Sequence, residues 1–341
     1  MQHQASFHKT LNPLVKLLEL FLRADDRIVD QETLTAELGI RLSLLEQHID
    51  QLRANALEIT TRHKQFRLEE WTTALEHSCL ERFVISSDIN KKLPLKIDLY
   101  DQVESTNTLA KALQIKDDTW HYILAKEQTK GRGRQGRTWL SGQDGGLYMS
   151  LALRSRLNLD KLQVITLLVS IAVKECLDEF LSSQVDIKWP NDILVDGLKL
   201  CGILVESVIK DNQVQLVIGI GLNINQASFP LDLKDKASSM AMESGLQFDP
   251  NYISVRLMHY LDAVLSPFLK TGDMDEALLS SYKAACITIG QDVFINQEET
   301  ILKGYCLDVE KDGRLKIRLN SGEIVCFNSG EVQVRGLLGY T

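Results

Sequence analysis

No run of apolar residues in this 341-residue chain reaches membrane-spanning length, which excludes a spanning helix as its organising element. The six cysteines (Cys79, Cys176, Cys201, Cys286, Cys306 and Cys326) form no C-x-x-C pair. That scatter indicates neither a zinc ribbon nor a disulfide framework, and reduced thiols in a cytoplasmic setting are expected. The first residues show no signal-peptide pattern, which fits the same expectation. The seven histidines make no H-x-x-x-H set, so a helical metal site is not indicated either. Positive charge is also short. With 38 Lys and Arg against 46 Asp and Glu, the net charge of −8 argues against broad, sequence-blind nucleic-acid binding, while leaving room for a local basic face. What remains is the composition of a globular protein long enough for two or three domains.

Against this acidic background one segment stands apart. Gly131-Arg-Gly-Arg-Gln-Gly-Arg137 holds three glycines and three arginines in seven positions. Glycines let backbone N–H groups come close to a ligand, and guanidinium forks bind phosphate or carboxylate oxygens, so the segment calls for a polyanion such as a nucleotide. Two familiar patterns overlap it. Gly131, Gly133 and Gly136 satisfy G-x-G-x-x-G, and Gly131 to Thr138 differs from a P-loop by one residue, Arg137 standing where Lys belongs. Either motif requires a helix to start at the glycines. Thr138-Trp-Leu-Ser-Gly-Gln-Asp-Gly-Gly146 follows instead, and Leu147 to Leu153 reads as a strand. The anion must be held by a loop between strands.

Residues 11 to 60 have helical spacing in three short pieces: Leu14, Leu17, Leu18 and Phe21; a piece capped by Asp30 and Thr33 and closed by Gly39; and Leu42, Leu45, Ile49 and Leu52. Two strand-like runs follow, Leu57–Thr61 and Gln65–Leu68. The order resembles a winged helix-turn-helix. Its charge does not favour that use. Residues 1 to 70 carry nine Lys and Arg against eleven Asp and Glu, a balance of −2. The third helix holds Glu46 and Asp50, and the wing tip Arg62-His-Lys-Gln65 has no glycine for a tight turn. Binding to DNA should therefore be weak or need a dimer.

From Lys96 to about Asn225 strand-like runs alternate with helical ones: Ser105 to Leu113 and Leu159 to Leu181, then two more near 251–269 and 273–285. Asp196-Gly197 signals a hairpin. An α+β sheet with helices on one side is expected. From Gly290 to Arg335 short alternating runs are divided by Lys311-Asp-Gly-Arg, Asn320-Ser-Gly and Asn328-Ser-Gly, the pattern of a small SH3-like β-barrel.

Five motifs now stand in order: Glu104-Ser-Thr-Asn107; Gln128 with the arginine loop; Lys188-Trp-Pro-Asn-Asp192; Lys199-Leu-Cys-Gly-Ile-Leu-Val-Glu206; and Gly219-Ile-Gly-Leu-Asn223. Their order resembles that of the biotin protein ligases, and the layout is similar to the bifunctional bacterial form that also represses the biotin operon. The resemblance spans nearly the whole chain and is weakest in the first 70 residues. It implies domains at 1–70 (winged helix-turn-helix), 71–285 (ligase) and 286–341 (SH3-like barrel). It also implies a reaction that uses ATP and Mg²⁺ to convert biotin to biotinyl-5′-AMP. The biotinyl group then passes to a lysine of the biotin carboxyl carrier protein of acetyl-CoA carboxylase. Biotin operator DNA and an adenylate-dependent homodimer are the further implied partners.

Residue by residue, the resemblance places Ser105, Thr106, Asn107 and Gln128 on the biotin ring, with Gly131, Arg132, Gly133, Arg134 and Lys199 around its tail and carboxylate. Arg132, Arg134, Arg137, Trp139, Asn191, Asp192, Lys199 and Asn223 would meet ATP or the adenylate. Lys199, Lys188 and Arg134 would supply catalytic charge. Mg²⁺ would ride on the phosphates with Asp192 as helper rather than sit in a protein cage. Lys199 lies between apolar residues on a strand, where a buried cation demands an anion, and the substrate would provide it. DNA would meet Arg41, Ser43, Gln47 and His48 on the third helix and Arg62 and Lys64 on the wing. Cys201 stands where a small residue such as alanine is usual in that family; packing as a small hydrophobe is expected, with a thiol that sensitises the site to oxidation as the alternative. The rival readings are a ligase with a degenerate first domain, a lipoate-type ligase on the same catalytic fold, and a pure acyl-adenylate sensor.

Overall fold

The computed structural model describes residues 13–87, 89, 94–116, 119–142, 145–210, 213–297, 300–329 and 333–336. Three helices open it: α1 (Pro13–Arg23), α2 (Gln31–Leu38) after the short strand β1 (Ile28–Asp30), and α3 (Leu42–Ala54). Their i, i+3, i+4 apolar positions pack together: Leu17, Leu18, Phe21, Leu34, Leu45, Ile49 and Leu52 are all buried. Asp30 caps α2 through a 2.8 Å bond from Thr33 N, and Gly39 ends it in the left-handed region at φ 66°. Strands β2 (Ile59–Arg62) and β3 (Gln65–Leu68) join β1 in an antiparallel sheet of order β1-β3-β2. The hairpin between them corrects the expectation drawn from the missing glycine. His63 and Lys64 both take positive φ, 48° and 65°, and close a two-residue turn.

Two helices went unforeseen, the single short stretch Met240–Ser244 and α4 (His77–Ser86), the latter too short for its three buried residues, Leu80, Phe83 and Val84, to signal periodicity. The central sheet then has seven strands in the order β4-β5-β6-β10-β9-β8-β7. These are β4 (Leu95–Val103), β5 (Trp120–Gln128), β6 (Gly146–Ser155), β7 (Val185–Lys188), β8 (Asp192–Val195), β9 (Leu198–Lys210) and β10 (Gln213–Asn223). Only β4 and β5 run parallel. The Asp196-Gly197 turn joins β8 to β9 with φ of 49° and 80°.

Helices cover both faces of this sheet, which corrects the one-sided expectation. On one face lie α6 (Leu162–Leu177), buried nearly all round, and α8 (Pro250–Thr271). Between α6 and the next strands no regular helix continues to Leu181. Tyr122, Leu124, Leu151, Leu153, Leu216 and Ile218 belong to the core on that side. Alternate residues Ile123, Ala152 and Val217 form a second, smaller cluster with Ala110 and Ile115, under the short helix α5 (Thr106–Ala112). A helix of seven residues leaves most of that face open, and the open part carries the site. The helices α7 (Met240–Ser244) and α9 (Glu276–Ala285) complete this part.

Five antiparallel strands end the chain: β11 (Asp292–Gln297), β12 (Thr300–Val309), β13 (Leu315–Leu319), β14 (Ile324–Phe327) and β15 (Gln333–Gly336), in the order β14-β13-β12-β11-β15. The turn expected at Asn328-Ser-Gly runs into Gly330, outside the described residues. This sheet is tied to the central part by Trp189, whose Nε1 donates 3.0 Å to Gly313 O.

Candidate active site

A cavity of about 170 Å³ opens on the face that carries α5. Its floor is made by glycines. A Cβ on Gly219 would stand 2.1 Å from Asn107 Oδ1, one on Gly221 2.5 Å from Trp139 Nε1, and one on Gly202 2.8 Å from Trp139 Cζ3. No side chain larger than hydrogen fits at these three positions. The Trp139 indole therefore lies on the floor, its N–H buried without a partner and Lys199 Nζ 5.2 Å from the ring centroid. Such a cavity is smaller than the roughly 300–1,000 Å³ usual for a cofactor-sized ligand.

The polar end is a closed network. Ser105 caps α5 through Thr108 N at 3.4 Å, and Ser105, Thr106 and Asn107 are buried. Gln128 Oε1, at the end of β5, accepts from Thr106 N at 2.8 Å and from Thr106 Oγ1 at 3.2 Å, while its Nε2 donates 2.9 Å to Ser141 Oγ. Ser150 Oγ donates 2.6 Å to Asn107 Oδ1 and lies 2.7 Å from Thr106 Oγ1. Ser141, Ser150, Lys111 and Glu206 belong to this network, and sequence reasoning missed all four. A serine in an alternating strand carries no local signal. Only the final Glu of the 199–206 motif was in view, without a role.

The cationic end is built by the loop and two turns. Loop 131–139 folds on itself: Gly133 N donates to Arg137 O at 2.7 Å and Trp139 N to Gly131 O at 2.9 Å. Between them Arg134–Gly136 makes a single 3-10 turn, with Gln135 and Gly136 at φ 54° and 73°. No helix starts at the glycines. Arg134 Nη1 donates 3.0 Å to Asn191 Oδ1, and Nη2 donates to Ser329 O in the turn that follows β14 of the C-terminal sheet. Burial lowers the pKa of Arg134, against the pull of nearby Asp192. Asn191 in turn donates through Nδ2 to Ile203 O at 2.9 Å.

Lys199 reaches the cavity because of a bulge. The register of β8 on β9 pairs Ile193 with Cys201 but Leu194 with Lys199, leaving Leu200 as the extra residue. Strict alternation would put Lys199 on the side of buried Cys201. The bulge turns it to the side of Gly202 instead. Its Nζ lies 2.7 Å from Asp192 Oδ1, so the anion that the sequence reading left to the substrate comes from the protein. Cys201 is fully buried, and burial raises its thiol pKa well above the ordinary value despite Lys199 nearby. The side chain packs as the small hydrophobe expected there, and suppression of the reactive thiolate argues against the alternative of an oxidation-sensitive site.

Thus Ser105, Thr106, Asn107 and Gln128 line one end of the cavity, and Arg132, Gly133, Arg134, Arg137, Trp139, Lys188, Asn191, Asp192 and Lys199 the rest. Gly131 and Asn223 do not line it. Gly131 is packed under the loop, where a Cβ would meet Trp139 O at 2.3 Å. Asn223 is buried and donates 3.0 Å to Ser238 O, bracing the segment that also holds Lys199. Five cations thus face a single lining carboxylate, Asp192. Among the described residues no three His, Cys, Asp or Glu side chains converge as a metal cage. One carboxylate beside an amide suits an ion held chiefly by phosphates.

None of the candidate DNA contacts lines this cavity: Arg41 is exposed at the N-cap of α3, Ser43 and Gln47 on the helix, and Arg62 and Lys64 at the hairpin. His48 is half-buried, its Nδ1 3.1 Å from Gln51 Oε1.

Comparison with known proteins gives this geometry a setting. Residues 99–223 match the model of the biotin/lipoate A/B protein ligase family, and residues 288–335 that of the biotin protein ligase C-terminal domain. The chain is 30% identical over 311 residues to the bifunctional ligase/repressor BirA of Bacillus subtilis, covering 90% of this chain and 94% of that one. It is 29% identical over 246 residues to the biotin–[acetyl-CoA-carboxylase] ligase of Mycobacterium tuberculosis, covering 70% of this chain and 88% of that one. A biotin protein ligase from Aquifex aeolicus, solved with biotin and ATP, superimposes with a TM-score of 0.61 at 29% identity, over 71% of this chain and 99% of that chain.

Proposed function

Because the chain belongs to the biotin protein ligase family, we propose that this cavity makes biotinyl-5′-AMP from biotin and ATP. It then passes the biotinyl group to a lysine of a biotin carboxyl carrier protein. The observation that carries the assignment is the convergence of Arg132, Arg134, Arg137, Lys188 and Lys199 around one carboxylate, beside a closed polar pocket. A carboxylate oxygen attacks the α-phosphorus while the bond to the β-phosphate breaks. Negative charge thus meets negative charge, and fixed cations lower that barrier. Lys199 stands nearest the reacting oxygens, with Lys188 and Arg137 on the outer phosphates. Mg²⁺, with Asp192 as helper, adds charge neutralisation on the phosphates when bound. The ring of biotin, a cyclic urea with two donors and one acceptor, suits Thr106, Asn107 and Gln128. In the second step the amine nitrogen attacks the acyl carbon, AMP leaves, and the amine loses a proton.

A complete set of cations favours activation over mere sensing, and the motif set favours biotin over lipoate. The test is pyrophosphate release and the mass of the product. Purified chain with biotin, Mg-ATP and a carrier domain should release pyrophosphate and add one biotinyl group to one carrier lysine. Release with lipoate but not with biotin overturns the assignment.

We further propose domains at 1–70, 71–285 and 286–341: a winged helix-turn-helix, the ligase, and an SH3-like barrel. The helices α1 to α3 with their hairpin support the first, as does the ligase/repressor relative. The adenylate would serve as corepressor, bringing two copies together on a biotin operator. A gel shift on the biotin-synthesis promoter, at low salt with and without adenylate, tests this. No shift at micromolar protein leaves the first domain without a DNA role.

A further inference from the structure

Glu206 lies on β9, on the same side as Gly202 and Leu204, at the rim of the polar pocket. Its Oε2 accepts from Asn107 Nδ2 at 3.0 Å. Its Oε1 accepts from Lys111 Nζ at 2.8 Å and lies 3.8 Å from Arg132 Nη2. The carboxylate is only 21% exposed. Burial alone would raise its pKa, but the hydrogen bonds from Lys111 and Asn107 outweigh burial and hold it below the ordinary value.

This carboxylate sets the direction of the network. Asn107 Nδ2 donates to Glu206 and also to Leu204 O at 3.3 Å, so both amide hydrogens have acceptors. The amide oxygen is then obliged to face Ser150 Oγ, which can serve only as donor to it. Ser150 has one proton, so that bond leaves Thr106 Oγ1 to donate to Ser150 or to Gln128. The order of donors and acceptors in the pocket thus begins at a negative charge. On its other side the same carboxylate offers a counter-charge to the first arginine of loop 131–139.

We propose that Glu206 is a positioning residue for the ligase reaction: it fixes the orientation of the Asn107 amide in the ring pocket and latches Arg132, so that pocket order and loop closure depend on one carboxylate. The inference rests on the reading of Thr106, Asn107 and Gln128 as the pocket for the biotin ring. A neutral amide at 206 can present either oxygen or nitrogen to Asn107, and it gives Arg132 no charge.

The experiment measures steady-state adenylation and adenylate release for the full chain and for Glu206→Gln, Arg132→Gln, their double variant and Gln128→Ala. Glu206→Gln should raise KM for biotin about tenfold, with KM for ATP and kcat within twofold. It should also speed release of the adenylate about as much as Arg132→Gln does, and the double variant should be no faster than either. A merely structural role would move both KM values and kcat together. If Gln128→Ala raises KM for biotin and Glu206→Gln does not, this inference falls and the pocket reading stands. If neither raises it, both fall. Additive effects on release in the double variant overturn the latch. Should Glu206→Gln not fold, Glu206→Asp keeps the charge while shortening the reach to Asn107. It should raise the same KM about threefold, and no change in it overturns the inference.

Discussion

The cavity and the N-terminal helices treat their cations in opposite ways. Eight Lys and Arg lie between residues 13 and 70: Lys16, Arg23, Arg27, Arg41, Arg53, Arg62, Lys64 and Arg67. Five of them are engaged by the protein. Lys16 donates to Glu37 O, Arg23 to Ser244 O and Arg27 to Leu68 O, Arg53 binds Asp50 and Ile59 O, and Arg67 pairs with Glu69. Only Arg41, Arg62 and Lys64 stay exposed without such a partner among the described residues, at the start of α3 and at the hairpin. In the cavity five cations converge from three separate stretches of chain: loop 131–139, the end of β7 and the start of β9. Protein contacts also point them, as with Arg134 through Asn191, Lys199 through Asp192 and Arg132 through Glu206. Net charge says little about an anion site. What counts is whether the fold brings cations together and shields them from water.

Five substitutions would break or sharpen that contrast. The largest effect is expected from Lys199→Ala, which removes the cation turned inward by the bulge. Losing such a charge costs on the order of 3 kcal/mol in the transition state, so single-turnover adenylation should fall about a hundredfold. Near-normal rates would remove Lys199 from the chemistry. Next comes Gly219→Ala, whose Cβ would displace Asn107 from 2.1 Å. KM for biotin should rise about tenfold or more while the fold, read by circular dichroism, is kept. An unchanged KM would show that Asn107 does not contact the ring.

Arg134→Gly tests the tie between loop, turn and C-terminal sheet. With that tie gone the loop should open more readily and release the reactive anhydride. Exposed lysines of bystander proteins should then be biotinylated several-fold more than by the parent chain. Equal bystander labelling would count against a loop that shields the intermediate. The smallest effect belongs to the N-terminal unit. If it binds DNA, Arg62→Ala and Lys64→Ala should each lower the salt slope of operator binding by about one, with adenylation untouched. Identical slopes would place the hairpin away from the phosphates.

Much of this molecule was legible in linear order. Motifs such as 104–107, 131–137, 188–192 and 199–206 are contiguous because turns and strand ends bring neighbouring residues to one cavity. Caps at Asp30 and Gly39 are local chemistry and were read directly. The helices of the sheet's main face announced themselves by apolar spacing. The absent glycine in the hairpin misled, because a two-residue turn can hold His63 and Lys64 in the left-handed region when the paired strands require it.

Tertiary structure decided the rest, for reasons that linear patterns do not carry. Alternation along β9 points Lys199 toward the core, and only the extra residue Leu200, seen in the register against β8, turns it to the cavity. The glycines at 202, 219 and 221 were visible as letters, but the need for them comes from Trp139 and Asn107, which arrive from loop 131–139 and helix α5. Ser141, Ser150, Lys111 and Glu206 joined the pocket only when the sheet brought them beside Asn107 and Gln128. Sequence determined which chemical groups are available and which neighbours they have along the chain. Hydrogen-bond order and charge pairing depend on distances of about 3 Å between residues many positions apart, and those only the folded sheet sets.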